Sequence, residues 1–217
     1  LNSLFTMQTK VTTSNLPIYD DSRLLTELEL FPEWFLHRHL GYISTNEDRN
    51  ILDAAFQALL NSTSEQPKTF VHRDYHSRNL LITEHHNPGI VDFQDAVLGP
   101  VTYDLVSLLR DCYIAWPKSQ VMAWVENYRQ RLVSVGITQT NTEQFQRWFD
   151  WMGLQRHLKV LGIFCRLWYR DGKAGYLRDL PLVLQYILSV ARLYPELTEF
   201  MAFIERVVAK RDLTQAA

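Results

Sequence analysis

The sequence predicts an α+β fold, mostly α, in which helices surround a small β-hairpin island. Apolar residues recur at helical spacing over most of the chain. Short apolar runs bounded by turn residues are concentrated between residues 70 and 93. Because helices and strands do not alternate along the chain, neither a parallel βαβ fold nor an all-β fold fits this pattern.

The composition is that of a globular protein. The 217 residues are 47% hydrophobic and 12% aromatic, which provides enough apolar material for a core. Lys and Arg number 22 against 24 Asp and Glu, so the net charge is −2. A surface for nucleic acid or an anionic membrane needs a basic excess, so neither partner is expected. We expect residues 1–217 to form a single domain.

The cysteines and the absence of long apolar runs predict a location in the cytoplasm. Cys112 and Cys165 are the two cysteines, and neither belongs to a C-x-x-C motif. Free thiols in the reducing cytoplasm are therefore expected. No run of about 18 uninterrupted apolar residues occurs, so no membrane span is expected. The first residues lack an initiator Met and the features of a signal peptide, and we expect a chain that begins inside a longer protein.

A proline and a capping box delimit the helices of the first third. Pro32 interrupts helical spacing, so we expect a kink or break near Phe31. Ser44-Thr45-Asn46-Glu47 fits a capping box in which Ser44 is the N-cap and Glu47 reaches back. The predicted segments are a helix over 1–9, a linker over 12–17, and helices over 22–40 and 44–61.

The middle of the chain predicts three short strands. Phe70-Val71, Leu80–Thr83 and Gly89–Phe93 are the apolar runs, and Glu84–Pro88 has the composition of a hairpin turn. Helical spacing resumes after Pro100, interrupted by Gly and Pro residues. The predicted later helices span residues 102–114, 118–135, 141–170, 180–193 and 195–209.

The β-island carries the motif with the clearest chemistry. His72–Asn79 fits H-R-D-x-x-x-x-N, the catalytic loop of protein-kinase-like phosphotransferases. Thirteen residues after Asn79 comes Asp92-Phe93, where such enzymes place a metal-binding Asp. The predicted strand, turn and strand between these residues are the context that the motif requires. We therefore favour a phosphotransferase over a polar loop beside a hairpin.

The residue types at these positions suit phosphoryl transfer. That reaction requires a nucleophile held in line and neutralised phosphate charge. Asp74 is placed to accept the proton of a substrate hydroxyl, whereas Asn79 and Asp92 offer the hard oxygen ligands that Mg²⁺ prefers. The sequence thus predicts ATP and Mg²⁺ as cofactors.

Four further residues are predicted to support the site. Arg78, four residues after Asp74, is expected to hydrogen-bond Asp74, with a solvated Arg as the alternative. His76 is expected to contact the γ-phosphate or the acceptor, and packing is an equal alternative. We expect His72 to be structural. Asp104 opens a predicted helix, where it is favoured by the helix dipole and is expected to brace the catalytic-loop backbone.

Candidate acceptor-binding residues come from two segments. Asp95, three residues after Asp92, is expected to bind a second metal or an acceptor hydroxyl. Gln155, Arg156 and His157 lie among apolar residues of a predicted helix, where buried polar groups need partners. We predict that they line the acceptor pocket, and internal polar networks are the alternative.

Several segments resemble the aminoglycoside phosphotransferase/choline kinase family, which shares the protein-kinase fold. The catalytic loop, Asp92–Ala96 and Gly99–Leu109 carry this resemblance. Four stretches are similar to one branch of the family, the bacterial anomeric kinases of N-acetylmuramate and N-acetylglucosamine. They are Leu28–Leu36, His72–Asn79, Asp92–Asp111 and Met152–Phe164, the last extended by Arg170–Lys173. The resemblance extends from about residue 16 to residue 186.

The resemblance implies a reaction and its partners. It implies ATP-dependent phosphorylation of the anomeric hydroxyl of a small-molecule amino sugar, which gives the sugar 1-phosphate used in peptidoglycan recycling. An anomeric hydroxyl is more acidic than an ordinary alcohol because the ring oxygen withdraws charge. The weak base Asp74 is therefore adequate, and the implied partners are the sugar acceptor and a nucleotide.

The sequence before His72 shows no likeness to the N-terminal lobe of a kinase. It contains no G-x-G-x-x-G motif, and the lysines before the loop are Lys10 and Lys68, both in polar segments. We therefore expect the C-terminal lobe of a protein-kinase-like fold without the N-terminal nucleotide lobe. On that expectation, the chain alone is weakly active or inactive.

Two other functions are compatible with the same residues. The acceptor could be an aminoglycoside, choline or a similar amine, although Arg156, His157 and Lys159 favour a neutral or carboxylate-bearing sugar. The chain could also be a binding module that kept the fold without catalysis. Retention of the predicted base and metal ligands disfavours this second alternative.

Overall fold

A computed structural model describes residues 1–209 and 211–215 of the chain. It is mostly helical and contains two small antiparallel sheets, as the sequence predicts. None of the helices in these residues is long and apolar enough to span a membrane. Whether the chain forms one domain stays a prediction. The chain divides into two compact units, the first made of Leu1–Asp20 and Ser62–Met152 and the second of Asp21–Asn61 and Gly153–Ala217.

The predicted helices and strands occur in the predicted order with several ends shifted, except that the helix over 22–40 is divided and one further strand is present. The helices are α1 (Asn2–Lys10), α2 (Asp21–Leu28), α3 (Asn46–Ser64), α4 (Tyr103–Leu109), α5 (Lys118–Ser134), α6 (Thr142–Tyr169), α7 (Leu180–Ala191) and α8 (Thr198–Val208). The strands are β1 (Lys68–Val71), β2 (Leu80–Leu81), β3 (Gly89–Ile90) and β4 (Val97–Pro100). Short 3₁₀ turns cover Ser77–Asn79, Ala174–Asp179 and Pro195–Leu197.

Strand β4 is absent from the sequence prediction. It pairs antiparallel with β1, from Lys68 opposite Pro100 onward. Gly and Pro are depleted in strands, so Gly99-Pro100 gives no strand signal. A Cβ on Gly99 would lie 3.1 Å from the Cβ of Tyr19. The glycine therefore permits the extended segment that contains Tyr19 to approach β4 closely.

A buried glutamine fastens α1 to the rest of the first unit. The Gln8 amide donates to the carbonyl oxygen of Val101 at 2.9 Å and accepts from the Tyr128 hydroxyl at 2.8 Å. Phe5 meets the same tyrosine ring edge-on. Burial raises the pKa of Tyr128, so its hydroxyl stays protonated and able to donate at neutral pH.

The break predicted near Phe31 is a π-helix in the second unit. Helix α2 ends at Leu28, and the π-helix spans Phe31–His39 with Pro32 in its first turn. A Cβ on Gly162 of α6 would lie 2.4 Å from the carbonyl carbon of Leu30. Any side chain at Gly162 would push α6 away from the start of the π-helix.

The capping box of α3 lies one residue later than the sequence predicts. The hydroxyl of Thr45 accepts the N–H of Asp48 at 3.2 Å, and Asp48 Oδ2 accepts the N–H of Thr45 at 2.9 Å. The prediction of Ser44 as N-cap with Glu47 is therefore wrong. Both pairs fit the motif, and the contacts of Asp48 within the second unit select between them.

Asp48 is the centre of a polar cluster at the start of α3. Its carboxylate also accepts from the Tyr42 hydroxyl at 2.8 Å and from Arg206 of α8 at 2.5 Å. Burial on its own would raise the pKa of Asp48. The hydrogen bonds from Thr45, Tyr42 and Arg206 outweigh it and lower that pKa from 3.8 to about 2.

We predict that Asp48→Asn lowers the free energy of unfolding at pH 7 by about 1–2 kcal/mol. The folded-state pKa is depressed, so this contribution is present above the unfolded pKa of 3.8 and is lost as the pH falls through about 2. Urea unfolding of the unaltered protein and of Asp48→Asn should be measured at several pH values. The difference between their free energies of unfolding should decrease as the pH is lowered. The exposed Asp53→Asn is the control, and equal stabilities of Asp48→Asn and the unaltered chain at pH 7 would contradict the prediction.

Candidate active site

The catalytic loop lies in the first unit, between β1 and β2. The chain leaves β1 at Val71, passes through Asp74 and enters the 3₁₀ turn Ser77–Asn79. Strands β2 and β3 form a hairpin with Leu80 opposite Ile90, which returns the chain towards Asp92. The strand, turn and strand that the motif requires are therefore present.

A buried carboxylate holds the start of this loop. Asp104 is fully buried in the first turn of α4. It accepts the backbone N–H of His72 at 2.6 Å and that of Arg73 at 3.0 Å. Arg73 has a φ of 77°, in the left-handed region that residues with a side chain seldom adopt. These two charge-assisted bonds are the contacts that the predicted bracing role of Asp104 requires.

The His72 ring supports the backbone of the predicted base. The ring is fully buried, and its Nδ1 accepts the N–H of Asp74 at 3.3 Å. Burial lowers the pKa of His72, although the negative charge of Asp74 opposes that shift. The imidazole is therefore neutral at physiological pH, with Nδ1 available as an acceptor. These contacts are those of a structural residue.

The side chains of the two predicted metal ligands meet. Asn79 Nδ2 donates to the main-chain carbonyl of Asp74 at 3.0 Å and to Asp92 Oδ2 at 3.4 Å. Gln94 donates to the other carboxylate oxygen of Asp92 at 2.7 Å. Asp92 is exposed and adopts a left-handed backbone with a φ of 67°. The structure thus brings Asp74, Asn79 and Asp92 together.

The donor set at this place suits a hard divalent cation that has further ligands. An amide and a carboxylate supply hard oxygens, which Mg²⁺ prefers. Across residues 1–209 and 211–215, no group of three or more His, Cys, Asp or Glu could hold a metal.

Arg78 and His76 both contact Tyr113, which follows α4. The Arg78 guanidinium lies 3.5 Å from the centroid of the Tyr113 ring. The His76 ring meets the same tyrosine edge-on, with centroids 5.5 Å apart. A hydrogen bond from Arg78 to Asp74 and a phosphate contact of His76 stay predictions.

Asp111 is a second carboxylate that holds the loop, and it is not among the site residues predicted from the sequence. It is 2% exposed and accepts the N–H of Ser77 at 2.8 Å. It also accepts the N–H of Tyr113 at 2.9 Å. Asp111 lies 34 residues from Ser77, so the pairing exists only in the folded chain.

The predicted acceptor residues fall in both units. Asp95 is exposed in the first unit, three residues after Asp92. Gln155, Arg156 and His157 belong to the part of α6 in the second unit and are at most 4% exposed. In the described part of the chain, neither polar atom of the Gln155 amide has a hydrogen-bond partner. Acceptor binding by these four residues stays a prediction.

Four large apolar residues in or next to the β2–β3 hairpin are exposed. Ile82 is 96% exposed and Phe93 is 64% exposed, and Leu81 and Val91 are exposed next to them in the sequence. Large apolar side chains grouped in this way commonly mark a surface that another group covers.

Comparison with known proteins places this site in a family. The APH family, described as "Phosphotransferase enzyme family", matches residues 11–146. That range contains the catalytic loop, the β2–β3 hairpin and Asp104. The chain belongs to the phosphotransferase enzyme family. The resemblance predicted from the sequence is confirmed.

Three curated relatives of this phosphotransferase chain are named N-acetylmuramate/N-acetylglucosamine kinase. The protein of Neisseria meningitidis serogroup B is 44% identical over 91% of this chain and 59% of its own length. The Pseudomonas putida protein is 46% identical over 89% of this chain and 57% of its own. The Pseudomonas aeruginosa protein is 44% identical, over 92% and 59%. The chain thus spans less than two thirds of the length of these relatives.

A solved structure agrees with the fold. The ADP-bound crystal structure of aminoglycoside phosphotransferase APH(2'')-Ib matches with a TM-score of 0.51 and 14% sequence identity. The match covers 84% of this chain and 60% of the other. At this identity the likeness shows the fold alone, which confirms a mostly helical, kinase-like fold with small sheets.

We predict that Asp104→Asn lowers the free energy of unfolding by about 2–3 kcal/mol. The amide keeps one acceptor oxygen for two buried N–H groups and lacks the charge that strengthens both bonds. Urea unfolding of the chain at pH 7 measures the change. Asp21→Asn is the matched control, because Asp21 also lies in a first helical turn but is exposed.

For the control we expect a change within about 0.5 kcal/mol. A change just as small for Asp104→Asn would show that the loop does not depend on this carboxylate.

Proposed function

We propose that this chain is part of an ATP- and Mg²⁺-dependent kinase that phosphorylates the anomeric hydroxyl of N-acetylmuramate or N-acetylglucosamine. One observation carries the proposal: Asn79 and Asp92 meet beside the backbone of Asp74. The kinase names of relatives at 44–46% identity support the choice of acceptor.

Two backbone contacts of Asp74 support its proposed role as the general base. Its N–H is bonded to the His72 ring, and its main-chain carbonyl accepts from Asn79. The backbone on both sides of the base is therefore fixed, while the residue itself is only half-buried. We propose that the Asp74 carboxylate orients the anomeric hydroxyl and accepts its proton as the hydroxyl oxygen attacks the γ-phosphorus of ATP, whose bond to the bridging oxygen breaks and releases ADP.

Asn79 and Asp92 would hold the metal. Mg²⁺ bound with the nucleotide neutralises phosphate charge during transfer. The Asn79 amide oxygen and the Asp92 carboxylate are the hard ligands of this site. Gln94 donates to one carboxylate oxygen of Asp92, which limits rotation of the carboxylate.

We propose that this chain supplies the C-terminal lobe and that the complete protein supplies a nucleotide lobe. Two observations support this: the chain spans only 57–59% of the three relatives' length, and Ile82 and Phe93 are exposed beside the metal ligands. A lobe that closes over the nucleotide would cover that apolar surface. The proposal implies a cytoplasmic reaction, because ATP is the donor and both cysteines are free thiols.

Transfer by the complete protein tests the proposal. ATP and Mg²⁺ would be supplied with N-acetylmuramate, N-acetylglucosamine, kanamycin or choline, and the product would be identified by phosphorus NMR. We expect a 1-phosphate on the two amino sugars, and we expect Asp74→Asn to lower kcat by about 10²–10⁴-fold because the proton acceptor is lost.

Glu84→Gln, at the exposed tip of the hairpin, is the control and should keep full activity. Transfer to kanamycin or choline alone would contradict the proposed acceptor. Full activity of Asp74→Asn would contradict the proposed base. No transfer to any of the four would favour a non-catalytic binding module.

A further inference from the structure

We propose that Asp111 and Tyr113 are positioning residues that fix the turn Ser77–Asn79 from outside the catalytic loop. The inference rests on the proposed function, because Asn79 is the metal ligand in that turn. Together the two residues form a support, named here the 111–113 clamp, on the segment that follows α4. The clamp contacts three consecutive residues of the loop, His76, Ser77 and Arg78.

The first part of the clamp is a buried carboxylate on a backbone N–H. The turn Ser77–Asn79 has no side-chain cap of its own. Asp111 Oδ2 accepts the N–H of Ser77 at 2.8 Å, and Oδ1 accepts the N–H of Tyr113 at 2.9 Å. The same carboxylate therefore joins the start of the turn to the backbone of the clamp.

The second part is an aromatic ring on the residues that flank Ser77. Tyr113 lies under the Arg78 guanidinium at 3.5 Å and beside the His76 ring at 5.5 Å. A cation over a ring face at this distance is attracted by the ring quadrupole. Arg78 directly precedes Asn79 in the chain, so the position of Arg78 constrains the metal ligand.

The clamp is itself anchored within the first unit. Arg110, the residue before Asp111, forms a buried ion pair with Asp150 of α6. Its guanidinium also lies 4.5 Å from the centroid of the Phe149 ring. The contacts of Arg110 with α6 therefore fix the position of the clamp, and the clamp in turn fixes the catalytic loop.

Asp104 and Asp111 act on opposite ends of the catalytic loop. Asp104 accepts the N–H groups of His72 and Arg73, before the predicted base. Asp111 accepts the N–H of Ser77, just before the predicted metal ligand. Displacement of a catalytic group by about 1 Å can lower the rate about 10²-fold. Loss of the Asp111 carboxylate should therefore lower kcat more than it changes the KM for the acceptor.

Kinetics of the complete protein test the clamp. We expect Asp111→Asn to lower kcat by about tenfold or more and to raise the Mg²⁺ concentration for half-maximal rate, with the acceptor KM within about threefold. Tyr113→Leu should change kcat, the Mg²⁺ dependence and the acceptor KM in the same way. Tyr113→Phe should keep the activity of the unaltered protein, because it keeps the ring.

Two variants control for contacts of the same kind elsewhere. Asp212→Asn removes a carboxylate that accepts the N–H two residues later, at 2.9 Å, in the second unit. Phe5→Leu removes a ring that stacks with Arg131 at 4.2 Å. Both should leave kcat and the Mg²⁺ dependence unchanged.

Amide hydrogen exchange provides a readout that does not need activity. In the folded protein, Asp111→Asn should speed exchange over residues 74–80 by about tenfold or more, because the Ser77 N–H loses its charged acceptor. Asp212→Asn should leave these residues unchanged. Unchanged exchange in Asp111→Asn overturns the clamp, and so does faster exchange with unaltered kinetics.

The two proposals fail in different ways. If the unaltered protein transfers phosphate to no acceptor, the proposed function fails and the exchange comparison alone decides on the clamp. If the unaltered protein is active and Asp111→Asn matches it in kcat and Mg²⁺ dependence, the clamp is wrong and the proposed function stands.

Discussion

The rest of the candidate site depends on the bonds that Asp104 makes to the backbone of His72 and Arg73. Because that carboxylate is buried, both N–H groups would lack a partner of equal strength without it. The left-handed backbone of Arg73 exists only because the surrounding structure over-determines it. The direction in which the chain reaches Asp74 is therefore set by a helix that comes later in the chain, and the loop sequence alone does not define its geometry.

The features that the sequence predicted correctly are those determined by residues close together in the chain. The spacing within His72–Asn79 and on to Asp92 identified a loop, a hairpin and two side chains, Asn79 and Asp92, that meet beside the backbone of Asp74. Pro32 predicted a helix break because a proline ring and its missing N–H act on the adjacent turn. In each case the residues responsible are close together in the sequence, so their effect on structure does not depend on contacts with distant segments.

The sequence did not predict the features that depend on contacts between residues far apart in the chain. Gly99 gives no strand signal, yet it permits the close approach of Tyr19, which a Cβ at that position would crowd at 3.1 Å. Two overlapping capping boxes were available at α3, and Arg206 of α8 selects the one that contains Asp48. Asp111 supports the catalytic loop from 34 residues away.

The central claim is that Asn79 and Asp92 together hold the divalent cation of a phosphotransferase. The contact between the two side chains and their hard oxygen donors support that claim. The most direct measurement is a crystal structure of the complete protein with Mn²⁺ and a non-hydrolysable ATP analogue, recorded at the manganese absorption edge. The account predicts an anomalous peak about 2.0–2.2 Å from Asn79 Oδ1 and from an Asp92 carboxylate oxygen. A nucleotide-bound structure whose manganese peak contacts neither residue would contradict it.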